Sequence, residues 1–505
     1  MIPAVRNRKM SRRSLIGMAS LPVMTGGTLR QVAAREPKTD QDASPQVPLV
    51  PWIFLRAPLE KWMADYRRTF DAWADGGVRG IAIGYMEFLQ PDGSTIPSFP
   101  ADPKVYESFG VAPPTWDAAP GSLPAGENRV ARDREKERRL QAMLDDAARR
   151  GWQILMFLRP LRRASEPPSE DPFSAASFGA SVQDMMNAYP QARGVIIDGV
   201  GGRTYELEFP QRRNLFQIDD LEKPQFAALG IDIGRLERGA AHLDARFHQL
   251  TPSLVRYYSP AGVLAGLALF DLDEDALYWL RKRQEASLAY MAALRKQIDR
   301  LNRKIEMGTI PRAPVFSLLS SQDYQKMHPY FDYIFPKHYF WLRGYDGLYG
   351  TVARWVRTIH EWNPSLSETD CFAVAEAWFG IALPGIRSLA DMELGFPEEF
   401  FSKVVYSETR RALEAVGDPN KVIAWVQTGQ RPHGGDPMTE GDLHHILTAS
   451  QRAGLRRFIY HPVYGHDLSA GEWSVISTLC GKRWNEDPSG YWPGDTWNPT
   501  TPFKP

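Results

Sequence analysis

Short uninterrupted apolar runs recur along the chain, and a helical pattern follows almost every one. They are 49–56 (LVPWIFLR), 78–84 (VRGIAIG), 152–158 (WQILMFL), 194–200 (GVIIDGV), 314–319 (PVFSLL), 333–336 (YIFP), 422–427 (VIAWVQ) and 458–463 (FIYHPV). A run that does not alternate with polar residues belongs to a strand buried on both faces, and such strands pair in parallel beneath helices. Helical spacing is clearest at Leu59, Trp62, Met63, Tyr66, Phe70 and Trp73, ended by Gly76-Gly77, and at Leu140, Met143, Leu144 and Ala147 within 129–149. Further helices are predicted at 173–189, 349–362, 398–416 and 440–453. The longest is predicted at 273–305, with Asp271 or Asp273 to cap its start and Gly308 to end it. About eight strand–helix units predict an α/β fold, a (β/α)8 TIM barrel with long loop insertions such as the Pro- and Gly-rich stretch 90–127. A doubly wound sheet is the competitor. It would want a phosphate loop, and Thr204 stands where Gly199-Val200-Gly201-Gly202 needs the third glycine of GxGxxG.

Composition narrows the functions. The 505 residues carry 60 Lys plus Arg against 60 Asp plus Glu, which argues against a nucleic-acid binder. Two cysteines, Cys371 and Cys480, can build neither a disulfide scaffold nor a four-thiolate metal site; they could pair with each other or stay as buried thiols.

The N-terminus reads as an address. Basic residues (Arg6, Arg8, Lys9, Arg12, Arg13) precede a weakly apolar run, 15–24, and small residues at Val32-Ala33-Ala34 offer a cleavage point. The alternative is a disordered basic tail. The run is too short for the roughly 20 residues of a spanning helix, so no permanent membrane span is expected. The pair Arg12-Arg13 resembles the twin-arginine (Tat) signal of bacteria. That resemblance implies export through the Tat machinery and a periplasmic or secreted protein. The expected organisation is a signal at 1–34, a polar linker at 35–48, the barrel at 49–484 and a Pro/Trp-rich C-terminal tail at 485–505.

In a barrel of this kind, residues at the C-terminal strand ends and just beyond them carry the chemistry. Asp198 closes the run Val195-Ile196-Ile197, where an unpaired carboxylate would be costly. A loop-capping role is the structural alternative. Glu87, among Tyr85, Met86 and Phe88, is a second candidate acid, equally readable as a buried ion-pair partner. Glu376, beside Trp378, sits at a strand end if 372–378 is a strand and is ordinary if that run is a helix. Glu206 and Glu208 read more readily as surface charges. After the strand ending at Pro336 come Lys337, His338, Tyr339, Phe340 and Trp341: a cation, an imidazole and three aromatic rings. Such rings could stack on sugar faces or simply plug a loop. Arg159, Trp425, Gln427, His461 and Tyr464 complete the expected mouth. There is no HExxH, GxSxG or GK[ST] motif, and no cofactor is expected. His433, His444, His445, His461 and His466 cluster late, at spacings that match no metal rule.

The segments GVIIDGV, DYIFPKHYFW, IAWVQ and RFIYHPV together resemble bacterial glycoside-hydrolase-like TIM-barrel proteins. The resemblance covers most of 50–484 as a pattern of strand ends. It implies a carbohydrate ligand, with Asp198 and the 337–341 loop lining the cleft. Glycosidases use two carboxylates, so Asp198 is expected as nucleophile or base and Glu376, Glu87 or Glu206 as the second acid. Trp341, Trp425 and Tyr339 would stack sugars, and Lys337, Gln427 and His461 would hold hydroxyls. A non-catalytic glycan-binding barrel and a metal-dependent hydrolase are the rival readings.

Overall fold

The computed structural model describes residues 47–56, 58–90, 95–112, 132–158, 175–198, 207, 215–218, 220, 222–340, 347–427, 439–461 and 469–482. All of them belong to one compact unit within Gln46–Pro505. The signal expected at 1–34 and the tail at 485–505 lie outside the described residues.

Eight parallel strands form the sheet: β1 (Val50–Arg56), β2 (Gly80–Gly84), β3 (Gln153–Leu158), β4 (Gly194–Asp198), β5 (Glu306–Ile310), β6 (Tyr333–Ile334), β7 (Ile423–Gln427) and β8 (Arg457–His461). Neighbours in sequence are neighbours in space, and β8 pairs back onto β1. The ring closes between β6 and β7 through the bridges Ile334↔Val422 and Lys337↔Trp425. There the Ile334 amide donates to the Lys421 carbonyl at 2.8 Å and the Trp425 amide to the Pro336 carbonyl at 2.8 Å. Followed once round the ring, the pairing registers slip by eight residues, the shear of a TIM barrel.

Alternate residues of each strand face opposite ways. Trp52, Phe54, Ala82, Leu155, Phe157, Ile196, Ile310, Tyr333, Phe335, Ile423, Trp425 and Ile459 fill the barrel. Ile53, Ile81, Ile154, Val195, Met307, Ile334, Ala424 and Phe458 face the helices. Both faces are covered, which is why the strands read as continuous apolar runs.

The helices Arg134–Arg149, Ala175–Ala188, Glu274–Asp299, Leu348–Trp362 and Glu440–Arg452 fall where helical periodicity puts them, the run from Leu59 to Trp73 divides into Leu59–Met63 and Tyr66–Asp75, and Ala470–Leu479 is a further helix. The longest is capped by Asp273, which accepts from the Ala276 amide at 2.7 Å, and it ends at Asp299 rather than near 305. Segment 314–319 is not a strand. The fifth strand is Glu306–Ile310, and Pro314–Ser317 is a buried helical turn. A small antiparallel hairpin follows β2, with Glu87–Leu89 just before the expected insertion and Thr95–Pro97 inside it.

Candidate active site

The strand parity that fills the barrel also decides what reaches its mouth. Asp198 stands two residues beyond Ile196, Lys337 two beyond Phe335 and His461 two beyond Ile459, so all three share the inward register at the C-terminal end. Lys337 Nζ lies 3.5 Å from Asp198 Oδ1, with the lysine side chain only 4% exposed and the aspartate 30%. The ammonium also stands 5.7 Å from the Tyr339 ring centroid. The Tyr339 hydroxyl is 3.3 Å from His461 Nδ1. A cation, a carboxylate, a phenol and an imidazole therefore form one polar layer.

Beneath it lies an aromatic floor. Phe54 packs against Phe157 at 4.9 Å, Trp425 at 5.0 Å and the His461 ring at 4.9 Å. Trp425 also meets Phe335 at 5.7 Å. A layer this apolar limits the water beneath the polar groups, which strengthens their mutual electrostatics.

Several expected residues take other roles. Trp425 is 1% exposed, so it is core rather than a stacking platform, and its indole N–H has no hydrogen-bond partner among the described residues. His338 follows Lys337 and therefore faces outward. It is buried between the barrel and the helix Tyr406–Val416, with Nε2 2.8 Å from Thr409 Oγ1. Burial drives its imidazole down to about 4, so it is neutral and structural. Glu376 lies on the helix Glu368–Phe379, not at a strand end. Its Oε1 accepts the Leu383 amide at 2.8 Å, tying down the loop that follows, and burial raises its pKa. Glu87 opens the hairpin three residues beyond the last residue of β2. Arg159, Glu206, Glu208, Trp341 and Tyr464 lie outside the described residues, as does the Gln427 side chain.

Two strand-end residues went unnoticed in the sequence. Arg56 sits two beyond Phe54, in the inward register of β1. Arg312 lies two beyond Ile310, fully buried, with Nη1 3.3 Å from Thr351 Oγ1 and its backbone held by Gln322 and Tyr324. The parity rule finds the first; the second needs β5 in its correct place.

Of the late histidines, His433 and His466 lie outside the described residues, and His445 and His461 stand apart. His445 pairs with Glu398 at 3.0 Å on the outer helices, while His461 sits in the barrel. Among the described residues no three His, Cys, Asp or Glu side chains are grouped to hold a metal. Cys371 and Cys480 are separate buried thiols, each pushed up to about 12 by burial. Among the described residues no helix is long and apolar enough to cross a membrane.

No known family profile and no curated protein sequence matches the chain. Solved structures do. The PgaB glycoside hydrolase domain from Bordetella bronchiseptica is 10% identical, with 82% of this chain and 94% of that one covered at a TM-score of 0.38. The Group IV chitinase of Ostrinia furnacalis is 8% identical, with 86% and 100% covered at 0.39. A beta-galactosidase from Halorubrum lacusprofundi is 11% identical, with 86% and 58% covered at 0.43. At such identities the likeness is one of fold alone.

Proposed function

We propose that the barrel mouth is a carbohydrate site and that the chain is an exported glycoside-hydrolase-like protein. The observation that carries this reading is the Asp198–Lys337 pair set above an aromatic floor at the C-terminal rim, the face on which barrel enzymes do their chemistry. A carboxylate beside an ammonium suits the work of base or nucleophile; a general acid needs a proton to give. In hydrolysis, water adds across the glycosidic bond. The leaving oxygen takes a proton from the acid as the C–O bond breaks, and the anomeric carbon is attacked by Asp198 itself or by water that Asp198 deprotonates. With Glu376 committed to its loop, Glu87 is the acid of choice. Lys337, Tyr339 and His461 offer hydrogen bonds to hydroxyls. Export rests on the paired arginines and the apolar run near the N-terminus.

The test is reducing-sugar release from a panel of polysaccharides by wild type and Asp198→Asn. Loss of about 10²–10⁴-fold in the variant supports the assignment. Cleavage at the wild-type rate overturns it. The seat of Glu376 favours one second reading, a non-catalytic glycan-binding barrel; it would show as glycan binding with no product from the wild type.

A further inference from the structure

The end of the barrel opposite Asp198 holds a polar cavity of about 560 Å³. It lies beneath the first residues of β5 and β6, between the loop 300–305 and the segment 329–332, and Lys421 reaches it from the loop before β7. Arg295, Arg303, Lys304 and Lys421 line it against two acids, Asp299 and Asp332. The whole chain has no net charge, so this local excess is not general basicity. Both acids are already engaged. Arg295 meets Asp299 at 2.5 Å and Asp332 at 3.2 Å, and Asp332 also accepts the Met307 amide at 2.9 Å. Arg303 is committed to backbone carbonyls, those of Pro190 at 3.0 Å and of Ala192. The ammoniums of Lys304 and Lys421 meet no carboxylate among the described residues.

Helix dipoles do not explain the two lysines. Cations favour the negative end of a helix, but the effect fades within its last turn. Arg300 already stands at the end of the long helix, whereas Lys304 lies five residues past Asp299 and Lys421 five past Val416, the end of another helix. The backbone that carries them is held. Arg303 ties its own loop to the turn before β4, and the Lys421 amide donates to the Asp418 carbonyl at 3.0 Å while its carbonyl accepts from Ile334. The amides of Asn302, Arg303 and Lys304 donate to no protein acceptor among the described residues. The cavity therefore gathers donors without acceptors, which an anion with several oxygens supplies. Its arginines are paired, so no guanidinium fork stands open for a planar carboxylate, and two point-charge ammoniums suit a tetrahedral oxyanion. The space exceeds one such group and falls within the roughly 300–1,000 Å³ of small-molecule sites, with the half-buried Tyr330 on its wall.

We infer that this cavity is a second binding site, for a phosphate or sulfate group carried on a small organic molecule. The inference is independent of the carbohydrate reading of the mouth. The test is titration calorimetry of the full chain with glycerol 2-phosphate, inorganic phosphate, inorganic sulfate and acetate, all at one ionic strength. The variant is Lys304→Gln with Lys421→Gln, beside the exposed Lys304→Gln alone and Asp198→Asn at the mouth, and thermal melts establish that each is folded. The expected result is glycerol 2-phosphate bound at least as well as inorganic phosphate and about tenfold or more tighter than acetate. Binding should weaken about threefold or more in the single lysine variant and about tenfold or more in the double, and stay unchanged in Asp198→Asn. Failure of the wild type to bind phosphate or sulfate, equal binding by the lysine variants, or acetate bound as tightly as phosphate overturns it. So does loss of binding in Asp198→Asn, which would move the site to the mouth, and inorganic phosphate bound more tightly than glycerol 2-phosphate, which would assign the cavity to the free ion.

Discussion

Lys337 reaches from β6 past β5 to place its ammonium 3.5 Å from the Asp198 carboxylate on β4. The contact crosses the intervening strand on the inner face of the sheet, where curvature brings the C-terminal ends of alternate strands within reach of a long side chain. Both charges sit at the rim over aromatic rings, where water screens them less than at an open surface.

That placement sets the cost of breaking the pair. Lys337→Met removes the buried cation and leaves Asp198 partly desolvated, which should lower stability by about 1–3 kcal/mol, reduced from the fully buried case because the aspartate is partly exposed. Lys337→Met combined with Asp198→Asn should recover part of that loss. Urea unfolding of the two single variants, the double and the wild type measures the coupling. Additive losses would show that the ion pair contributes nothing.

The two remaining described acids are separable by what each touches. Glu376 holds the Leu383 amide on the outer helices, so Glu376→Gln should leave glycan turnover within about twofold and cost about 1 kcal/mol or less of stability. Glu87 follows β2 at the mouth side, so Glu87→Gln should cut turnover by about 10²-fold or more if it is the acid. Initial rates of sugar release check both. A large loss in Glu376→Gln with none in Glu87→Gln would reverse the assignment.

Most of the ring was legible because the strands are buried on both sides and the helices on one. The exception is instructive. β5 reads Glu306-Met307-Gly308-Thr309-Ile310, and its charge and glycine disguise it. Gly308 is required because a Cβ there would lie 2.6 Å from the Phe335 ring, which fills that part of the barrel. Glu306 is tolerated because it meets Arg193 at 2.8 Å at the N-terminal end. The run 314–319 is apolar because its helical turn is buried all round, and periodicity cannot tell such a turn from a strand. At the site, the rim positions of Asp198, Lys337 and His461 follow from a period of two. The outward turn of His338 follows from the same count. The burial of Trp425 does not, since it depends on rings contributed by β1, β3 and β6.

His338 should make stability fall with acid. Its imidazole is ordinary near 6.5 when unfolded and about 4 when folded, so between those values the unfolded chain binds the extra proton. The neutral ring's contribution is complete above pH 6.5 and is lost progressively toward pH 4, up to about 3 kcal/mol. His338→Gln, measured by urea unfolding at pH 7.5 and 4.5, should lose less stability between the two than the wild type. Equal losses would mean that another group carries the dependence.

Asp184 acts in the opposite direction. It is buried on the helix Ala175–Ala188 and accepts the Asp102 amide at 3.2 Å, and desolvation raises its carboxyl from 3.8 to about 6. The neighbouring Asp102 carboxylate adds to the rise, while Arg132, engaged with Glu137 at 2.5 Å, and the backbone amides oppose it. The folded chain therefore holds the extra proton between about 4 and 6. Its contribution is full below pH 3.8 and disappears as pH rises through 6. Asp184→Asn keeps a carbonyl oxygen for the amide and never ionises. It should match the wild type near pH 4 and exceed it by about 1–3 kcal/mol at pH 7.5. The check is the difference in unfolding free energy between variant and wild type across that range. A difference that stays constant with pH would show that the buried carboxyl does not titrate there.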